Sequence, residues 1–556
     1  MKKYAYILMA CLCMTGCSNF LDTENLVQKD SSNFPTKSDD VVSVLTSAYA
    51  QNIQSVKGAN WQIFPLIAEQ MADYSVSGGG LGDLQARAIA EYKKTGSNMY
   101  SAIWGRYYTG VHRANFVIEN AEKVKWANED LKNQTLGEAY FLRSQFYFDL
   151  VRMFEKVPLI VTVKTDNIAQ SEPTETFKVI FSDLVKAAEL LPNVNFKNQP
   201  TTELGRATRW AAEGMIARAY LYFSGMYKQE SIDLEDGKKL TKQDVIAYVD
   251  DCVANSGHDL ISDFRNLWPY AVANKANEYK YANENNLEWI GEDGKNCETV
   301  FAYKFSSMGS ANDMSACNNL CLFYGLRGQE TMPFAKGWGW ACVVPKFYDE
   351  WPDNDLRKKA TIWNSNDKSE GVEYLWNKNR NYNETGYFNK KYLPVNLKNE
   401  KGKLVNYSCI LYGVKPQFMY NNTQDIVILR FADILLMGAE LGSAHAQEYM
   451  DRVRNRVGLE SVPATLDNIK KERLYELAYE GVRYYDLMRW GEVEQAVNNM
   501  QQEVPVKIMG VAQKVTKKFR PASRGFLPIP EDQILLSNGV LKQNPGWEGT
   551  ESIFLD

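Results

Sequence analysis

The 556-residue sequence predicts a mainly α-helical protein, in which helical hairpins support an irregular, loop-rich half with little β structure. Residues 38–226 and 425–499 carry apolar side chains at the three- and four-residue spacing of amphipathic helices. The stretch between these two blocks is rich in Asn, Gly, Trp and Tyr. Because 45% of all residues are hydrophobic and 24% are charged, the chain has the composition of a folded globular protein.

The N-terminus has the pattern of an export signal. Lys2 and Lys3 precede an apolar stretch at residues 4–14, which is too short to span a bilayer permanently. Two small residues then precede Cys17, and this ending resembles the lipobox of bacterial lipoproteins, in which the signal is cut before a cysteine that carries diacylglycerol. We therefore expect residues 1–16 to be removed and Cys17 to anchor the chain to a membrane. An ordinary secretory signal that happens to contain cysteines is the alternative.

The charge balance argues against nucleic acid as a partner. Lys and Arg number 63 and Asp and Glu number 68, so the net charge is −5. A protein that binds a phosphate backbone needs a basic surface to neutralise it. No excess of positive charge is available here for that purpose.

Six cysteines follow the signal segment, which is too few for a disulfide framework in a chain of this length. They are Cys252, Cys297, Cys317, Cys321, Cys342 and Cys409. Cys317 and Cys321 lie four residues apart but have no second Cys or His pair at zinc-ligand spacing. We expect buried thiols or one local bridge, with no metal and no cofactor.

Two segments of the first block predict closely packed helices. The letters TLGE at residues 135–138 predict a capping box, followed by a helix that ends before Pro158. The apolar stripe of this helix comprises Ala139, Leu142, Phe146, Leu150 and Met153. After GRAT at residues 205–208 comes a narrow stripe of Trp210, Gly214, Ala217 and Leu221. Such bulky and small residues are typical of tetratricopeptide-like hairpins, although no clean 34-residue period is present.

The last block contains a ridge of carboxylates. Residues 471–490 predict one helix, on which Glu472, Glu476 and Glu480 share a face. A ridge of this kind could be catalytic, but a salt-bridged helix face explains it fully. The helical blocks and the stretch between them predict three parts after the signal, at residues 17–260, 261–424 and 425–556.

Seven segments in order resemble the SusD/RagB family of outer-membrane lipoproteins of the Bacteroidetes. They are FLD at 20–22, WGRYYTGVHRAN at 104–115, EAYFLR at 138–143 with VPL at 157–159, GRAT at 205–208, LRFADILLM at 429–437, the run at 472–491, and LPIP at 527–530 with QNPGW at 543–547. Glu155 stands where the family usually has glycine, and Trp547 stands where it has tyrosine.

The resemblance implies four tetratricopeptide-like hairpins and an irregular half that binds glycan at the cell surface. It further implies a partner, a SusC-like TonB-dependent transporter over which the protein lies as a lid, and it implies no enzymatic activity. The matching segments belong to the scaffold of the family. They therefore assign no ligand-binding residue to this sequence.

Motifs for catalysis are scarce in the sequence. The three histidines, His112, His258 and His445, have no second histidine at metal-ligand spacing, and the glycine cluster at residues 78–82 lacks the Lys-Ser/Thr of a phosphate loop. We expect that cluster to be a flexible loop. Glycoside hydrolysis needs only two carboxylates about 5–10 Å apart, so a surface glycoside hydrolase stays open as an alternative.

Tryptophans point to the ligand site. Seven of the 13 lie within residues 261–390, namely Trp268, Trp289, Trp338, Trp340, Trp351, Trp363 and Trp376. An indole offers an apolar face on which a sugar ring stacks, and rigid aromatic side chains lose little entropy on binding. The alternative for each tryptophan is that an irregular half needs bulky side chains to hold it together.

We predict Trp338 and Trp340 as the centre of the site, because small residues flank both indoles. In a strand, two side chains at this spacing face the same side. Trp289 and Tyr324 are predicted as supporting aromatic residues, and Asp73 as a partner for sugar hydroxyls near the glycine cluster.

The leading hypothesis is a lipid-anchored surface protein that captures oligosaccharide or polysaccharide and delivers it unchanged to a SusC-like transporter. Capture of peptides by a RagB-like protein is the nearest alternative. A surface glycoside hydrolase and a scaffold that uses its hairpins only for protein contacts are the others.

Overall fold

The computed structural model describes residues 34–548, except for residues 54–58, 60, 97, 165–166, 276–277, 293, 307–316 and 377–380. The predicted signal segment and Cys17 lie outside the described residues. In the part of the chain that is described, no helix has the length and apolar character needed to cross a membrane.

Helices make up most of the regular structure. They are α1 Ser38–Ile53, α2 Phe64–Met71, α3 Leu84–Ala90, α4 Ser101–Asn120, α5 Glu129–Phe154, α6 Pro173–Leu190, α7 Arg209–Tyr227, α8 Lys242–Asn255, α9 Lys280–Glu284, α10 Asn319–Tyr324, α11 Pro345–Glu350, α12 Arg357–Thr361, α13 Tyr407–Leu411, α14 Phe431–Leu441, α15 Ala446–Arg456, α16 Leu466–Glu476, α17 Arg483–Trp490, α18 Val493–Met500 and α19 Glu531–Leu536.

The strands are short, and within the described residues each pairs with a single other strand. They are β1 Ser75–Gly78, β2 Ser231–Asp233, β3 Lys239–Thr241, β4 Thr299–Tyr303, β5 Leu326–Arg327, β6 Lys336–Gly337, β7 Trp340–Val343, β8 Ile362–Asn364, β9 Tyr387–Asn389, β10 Asn396–Lys398, β11 Leu404–Asn406, β12 Ile426–Arg430, β13 Val504–Ile508 and β14 Val511–Val515.

The long helices pack in chain order. Helix α1 packs on α4, and each helix from α4 to α7 packs against the next one in the chain. Helix α14 continues the array, since it contacts α7, α8, α15 and α16. The prediction of a mainly α-helical protein with little β structure is confirmed.

Helix α5 begins earlier than the sequence predicts. The side chain of Asn128 accepts a hydrogen bond from the amide of Leu131 at 2.8 Å and caps the helix there. Thr135 therefore lies inside the helix, where its hydroxyl donates to the carbonyl of Leu131 at 2.8 Å. The predicted capping box at residues 135–138 is wrong, because an asparagine about two turns upstream supplies the cap.

The helix predicted over residues 471–490 is interrupted. Helices α16 and α17 are separated by a link in which Tyr479 and Gly481 have φ values of 66° and 77°. The amide of Gly481 donates to Glu69 at 2.6 Å. A Cβ atom at Gly481 would lie 3.1 Å from Pro65 of α2. The close approach of α2 thus requires the left-handed link that breaks the helix.

The carboxylate ridge forms a buried ionic network, which we define as Glu298, Arg357, Lys391, Arg430, Arg456, Glu472, Glu476 and Glu480. Glu476 accepts hydrogen bonds from Arg430 at 2.6 Å, from Arg357 at 2.9 Å and from Arg456. The salt-bridged alternative of the sequence analysis is therefore confirmed, although the face is buried rather than exposed.

The network joins the loop-rich half to the helices. Lys391 precedes β10 and donates to Glu480 at 2.6 Å. The backbone carbonyl of Lys391 also accepts from Gln424 at 2.7 Å. The loops that surround the candidate site below are thus fixed to α16 and to the link after it.

Among the described residues, the six cysteines that follow the signal segment form no disulfide bond with one another. Cys252, Cys317, Cys321 and Cys342 are buried, and Cys297 and Cys409 are partly buried. Burial raises the pKa of each of the thiols Cys252 and Cys321 well above its usual value. The expectation of buried thiols is met, and the local bridge considered from the sequence is not formed.

Candidate functional site

An antiparallel pair of strands brings the glycine cluster beside the predicted tryptophans. Strand β1 pairs with β7, so that Gly78 lies opposite Trp340. The amide of Gly79 continues this pairing by donating to the carbonyl of Gly339 at 2.7 Å. The cluster is therefore held against the tryptophan segment, and its first glycine is the last residue of β1.

Small residues around the tryptophans allow close backbone packing. A Cβ atom at Gly78 would lie 2.2 Å from the carbonyl oxygen of Gly339, and one at Gly337 would lie 2.2 Å from that of Leu322. The amide of Trp338 donates to the same Leu322 carbonyl at 2.9 Å. The glycines serve mainly to let β1, α10 and the tryptophan segment approach one another.

Trp338 lies in the link between β6 and β7 and is half-buried. Its ring meets that of Phe418 edge-on, with 6.1 Å between the ring centroids. The guanidinium carbon of Arg327 lies 5.9 Å from the centroid of the Trp338 ring. The indole of Trp338 is therefore held in place by Phe418 and Arg327, and part of its surface remains accessible to a ligand.

A charged pair stands beside Trp338. Arg327 donates from Nη1 to Asp83 Oδ2 at 2.8 Å and to the Trp338 carbonyl at 3.2 Å. Asp83 Oδ2 also accepts from the amide of Gly80 at 2.8 Å. The side chains of Arg327 and Asp83 are 19% and 26% exposed, so both retain polar surface next to the indole.

A cleft of about 270 Å³ continues from Phe418. Its lining is rich in amides and includes Asn396, Asn406, Gln417, Asn421 and Asn422. Lys336 also lines the cleft, and its ammonium group lies 4.9 Å from the Phe418 ring centroid. We call this space the amide cleft.

Trp340 and Tyr324 do not lie on an open surface. Trp340 is 5% exposed and packs on Phe323, with 4.6 Å between ring centroids. Tyr324 is 3% exposed, and burial raises the pKa of its hydroxyl well above the usual value. The structure places both in the hydrophobic core, because β7 turns Trp340 inward two residues after Trp338.

Asp73 is also buried, at 3% exposure, and it does not face a ligand. Both of its carboxylate oxygens accept from Arg483, at 3.1 and 2.8 Å. A buried carboxylate needs such a partner, since an unpaired charge in the interior is costly. The expected role of Asp73 as a hydroxyl partner is therefore not supported by its position.

Trp289 lines a second cleft. It is half-buried and meets Tyr407 edge-on at 5.2 Å between ring centroids. Its cleft has a volume of about 520 Å³ and includes Tyr412, which is 43% exposed. Trp289 is not among the residues that line the amide cleft, which Phe418 connects to Trp338.

Sequence reasoning missed Asp83, Arg327, Phe418 and the asparagines of the amide cleft. Asp83 directly follows the glycine cluster, which is the same local signal that led to Asp73. The other residues come from three separate segments of the chain, at residue 327, at residues 396–406 and at residues 417–422, and no spacing in the sequence indicates that they meet.

A carboxylate pair bears on the hydrolase alternative. The amide of Asp425 donates to Glu292 Oε1 at 2.9 Å, and Lys304 Nζ donates to Asp425 Oδ2 at 2.5 Å. Burial raises the pKa of both carboxyl groups. The cavity beside them has a volume of about 60 Å³, which holds a few water molecules rather than a sugar chain.

Two family models match the chain. The model described as "SusD family" matches residues 292–547. The model described as "Starch-binding associating with outer membrane" matches residues 19–221. Together the two matches include both helical blocks and most of the loop-rich half.

Individual relatives align along almost the whole length. SusD-like protein P2 of Formosa agariphila is 23% identical over 573 residues, which cover 98% of this chain and all of the relative. A solved laminarin-binding SusD-like protein is 24% identical, with a TM-score of 0.72 over 92% of this chain and all of that one. Surface glycan-binding protein A from Bacteroides thetaiotaomicron, solved with laminarihexaose, is 20% identical, with a TM-score of 0.70 over the same shares. The chain belongs to the SusD family.

Proposed function

We propose that this protein captures oligosaccharide or polysaccharide at the cell surface, anchored to the outer membrane through a lipid on Cys17, and passes it unchanged to a SusC-like TonB-dependent transporter. The proposal is supported above all by the half-buried Trp338, which lies beside the Arg327–Asp83 pair and contacts Phe418, a residue that lines the amide cleft.

This arrangement suits a sugar chain for a physical reason. A sugar ring has an apolar face of C–H groups that stacks on an indole, and its hydroxyl groups need donors and acceptors at the edge of the ring. Trp338 and Phe418 supply aromatic surface, and Arg327 and Asp83 supply the polar groups. Because Arg327 and Asp83 already hold each other in place, little side-chain entropy is lost when ligand binds.

The family supports the same function and supplies the first probe. One solved relative is described as laminarin-binding and another was solved with laminarihexaose. One of the two matching family models names association with the outer membrane. Laminarin and its oligosaccharides therefore belong in the first panel of glycans, beside α-glucans and acidic polysaccharides.

Replacing Trp338 with Ala tests the site. A stacked anchor contributes at least about 2 kcal/mol to binding, so affinity for the bound glycan should fall by more than about tenfold. Isothermal titration calorimetry measures this change. Trp376→Ala is the matched control, because Trp376 is also half-buried in the loop-rich half but packs on Tyr374 and Lys507. Unchanged affinity in Trp338→Ala would place the site elsewhere.

Replacing Cys17 with Ala tests the anchor. Each buried methylene of an acyl chain adds about 0.8 kcal/mol of membrane affinity, so loss of the lipid should release the protein from the membrane. Fractionation of cells that lack the partner transporter measures this directly. A variant that still sediments with outer membranes would contradict lipidation at Cys17.

Co-purification tests delivery to a transporter. Because the resemblance to the SusD/RagB family implies a SusC-like partner, we expect the protein to hand its ligand to a separate outer-membrane channel. Gentle detergent extraction through an affinity tag on this protein should recover a large SusC-like barrel. Repeated recovery of the protein alone, under conditions that preserve related pairs, would count against delivery.

A further inference from the structure

One polar atom at the amide cleft lacks a partner. Asn422 lines the cleft and is 2% exposed. Its Oδ1 accepts from Asn406 Nδ2 at 3.0 Å, which fixes the orientation of the amide. Its own Nδ2 has no hydrogen-bond partner in the part of the chain that the structure describes. Because buried donors are nearly always paired, this atom needs an explanation.

The amides around Asn422 are held in place by the backbone. Asn406 Oδ1 accepts from the amide of Ser408 at 3.0 Å, at the start of α13. The backbone carbonyl of Asn422 accepts from the amide of Asn318 at 2.8 Å. The wall that carries the unpaired donor is therefore rigid, as a preorganised binding site requires.

The amide cleft has one negative and one positive side chain, and both lie at its exposed edge. Glu330 and Lys336 are the charged residues among those lining the cleft, and both are exposed. The buried asparagines Asn396, Asn406, Asn421 and Asn422 are neutral donors and acceptors. An uncharged ligand rich in hydroxyl groups matches this lining, because an anion or a cation would lose its hydration here without gaining an opposite charge.

Phe418 connects the amide cleft to Trp338. The phenyl ring lines the cleft and also meets the Trp338 indole. We propose that the amide cleft is a second sugar subsite for the glycan chain that stacks on Trp338. An uncharged sugar unit of that chain binds in the cleft and accepts a hydrogen bond from Asn422 Nδ2. This inference rests on the proposed function. It adds that the glycan is uncharged and that a chain longer than a disaccharide is needed to reach both subsites.

Two variants of Asn422 test the subsite. Asn422→Asp keeps an acceptor for Asn406 but removes the donor, and Asn422→Ala removes the donor without adding a charge. A hydrogen bond of ordinary strength corresponds to a factor of roughly threefold to tenfold in affinity. We expect that loss for a neutral hexasaccharide such as laminarihexaose, and little change for the corresponding disaccharide, which covers Trp338 alone. Calorimetric titration of both sugars gives the comparison.

A control separates ligand binding from stability. Asn544→Asp also places a carboxylate at a buried asparagine, whose amide donates to the carbonyls of Phe154 and Leu527 far from the cleft along the chain. It should lower the melting temperature without changing either affinity.

Three results would overturn the inference. The first is a hexasaccharide affinity that the Asn422 variants leave unchanged, and the second is an equal loss for both chain lengths. The third is binding of acidic glycans alone by the unmodified protein. Failure of the unmodified protein to bind any glycan would instead contradict the proposed function, so the two failures are distinguishable.

Discussion

Glu476→Gln is expected to destabilise the protein by about 3–5 kcal/mol, because it removes a buried carboxylate that three guanidinium groups share as a counter-charge. Glu476 accepts from Arg430, Arg357 and Arg456, and its side chain is fully buried. The substitution keeps the shape of the side chain, but it removes the charge and turns one of the two acceptor oxygens into an NH2 donor. Chemical denaturation followed by circular dichroism measures the loss.

An exposed ion pair provides the control for this prediction. Lys280 and Glu284 lie one turn apart on α9, with 3.7 Å between the charged atoms and side chains 52% and 60% exposed. Surface pairs of this kind contribute at most about 1 kcal/mol. If Glu284→Gln and Glu476→Gln lowered the free energy of unfolding by similar amounts, the buried network would stabilise the protein no more than a surface ion pair does.

The network also predicts how stability depends on pH. Burial alone would raise the pKa of Glu476, but the charges of Arg456, Arg430 and Arg357 hold it well below the usual 4.5. A carboxyl whose pKa is lowered by folding stabilises the folded state fully above its unfolded pKa and loses that effect as the pH falls. We therefore expect acid unfolding below about pH 4.5 to be less steep in Glu476→Gln than in the unmodified protein.

Trp340→Ala is expected to cost about 3–5 kcal/mol of stability, because it empties a core position. Trp340 is 5% exposed, packs on Phe323 and donates from Nε1 to Asp83 at 3.3 Å. The melting temperature of Trp340→Ala should be well below that of Trp338→Ala, because the Trp338 side chain is only half-buried. If Trp340→Ala abolished glycan binding without changing the melting temperature, Trp340 would be a ligand-binding residue and not a core residue.

The helical blocks were predictable because their signal is local. The apolar spacing along α5 and α7 lies in the residues of each helix, and the structure confirms both helices. The break after α16 was not predictable, since it depends on α2, some 400 residues earlier in the chain. The local pattern there favours one helix, and a tertiary contact overrides it.

The candidate site was predictable only in part for the same reason. Enrichment in tryptophan led to Trp338, but the same argument led equally to Trp340, and only the pairing of β1 with β7 separates the two. Asp73 and Asp83 flank the same glycine cluster. Asp73 forms an ion pair with Arg483, and Asp83 forms one with Arg327. Neither arginine is near its aspartate in the sequence.

Incubation of the purified protein with a glycan panel distinguishes glycan capture from hydrolysis and from the absence of binding. Bound and free sugars are separated and then analysed for chain length and for new reducing ends. The account predicts that at least one neutral glycan is depleted from solution and recovered intact. New reducing ends would show hydrolysis, and a panel recovered wholly in solution would show that the protein does not capture glycan; either result would contradict the account.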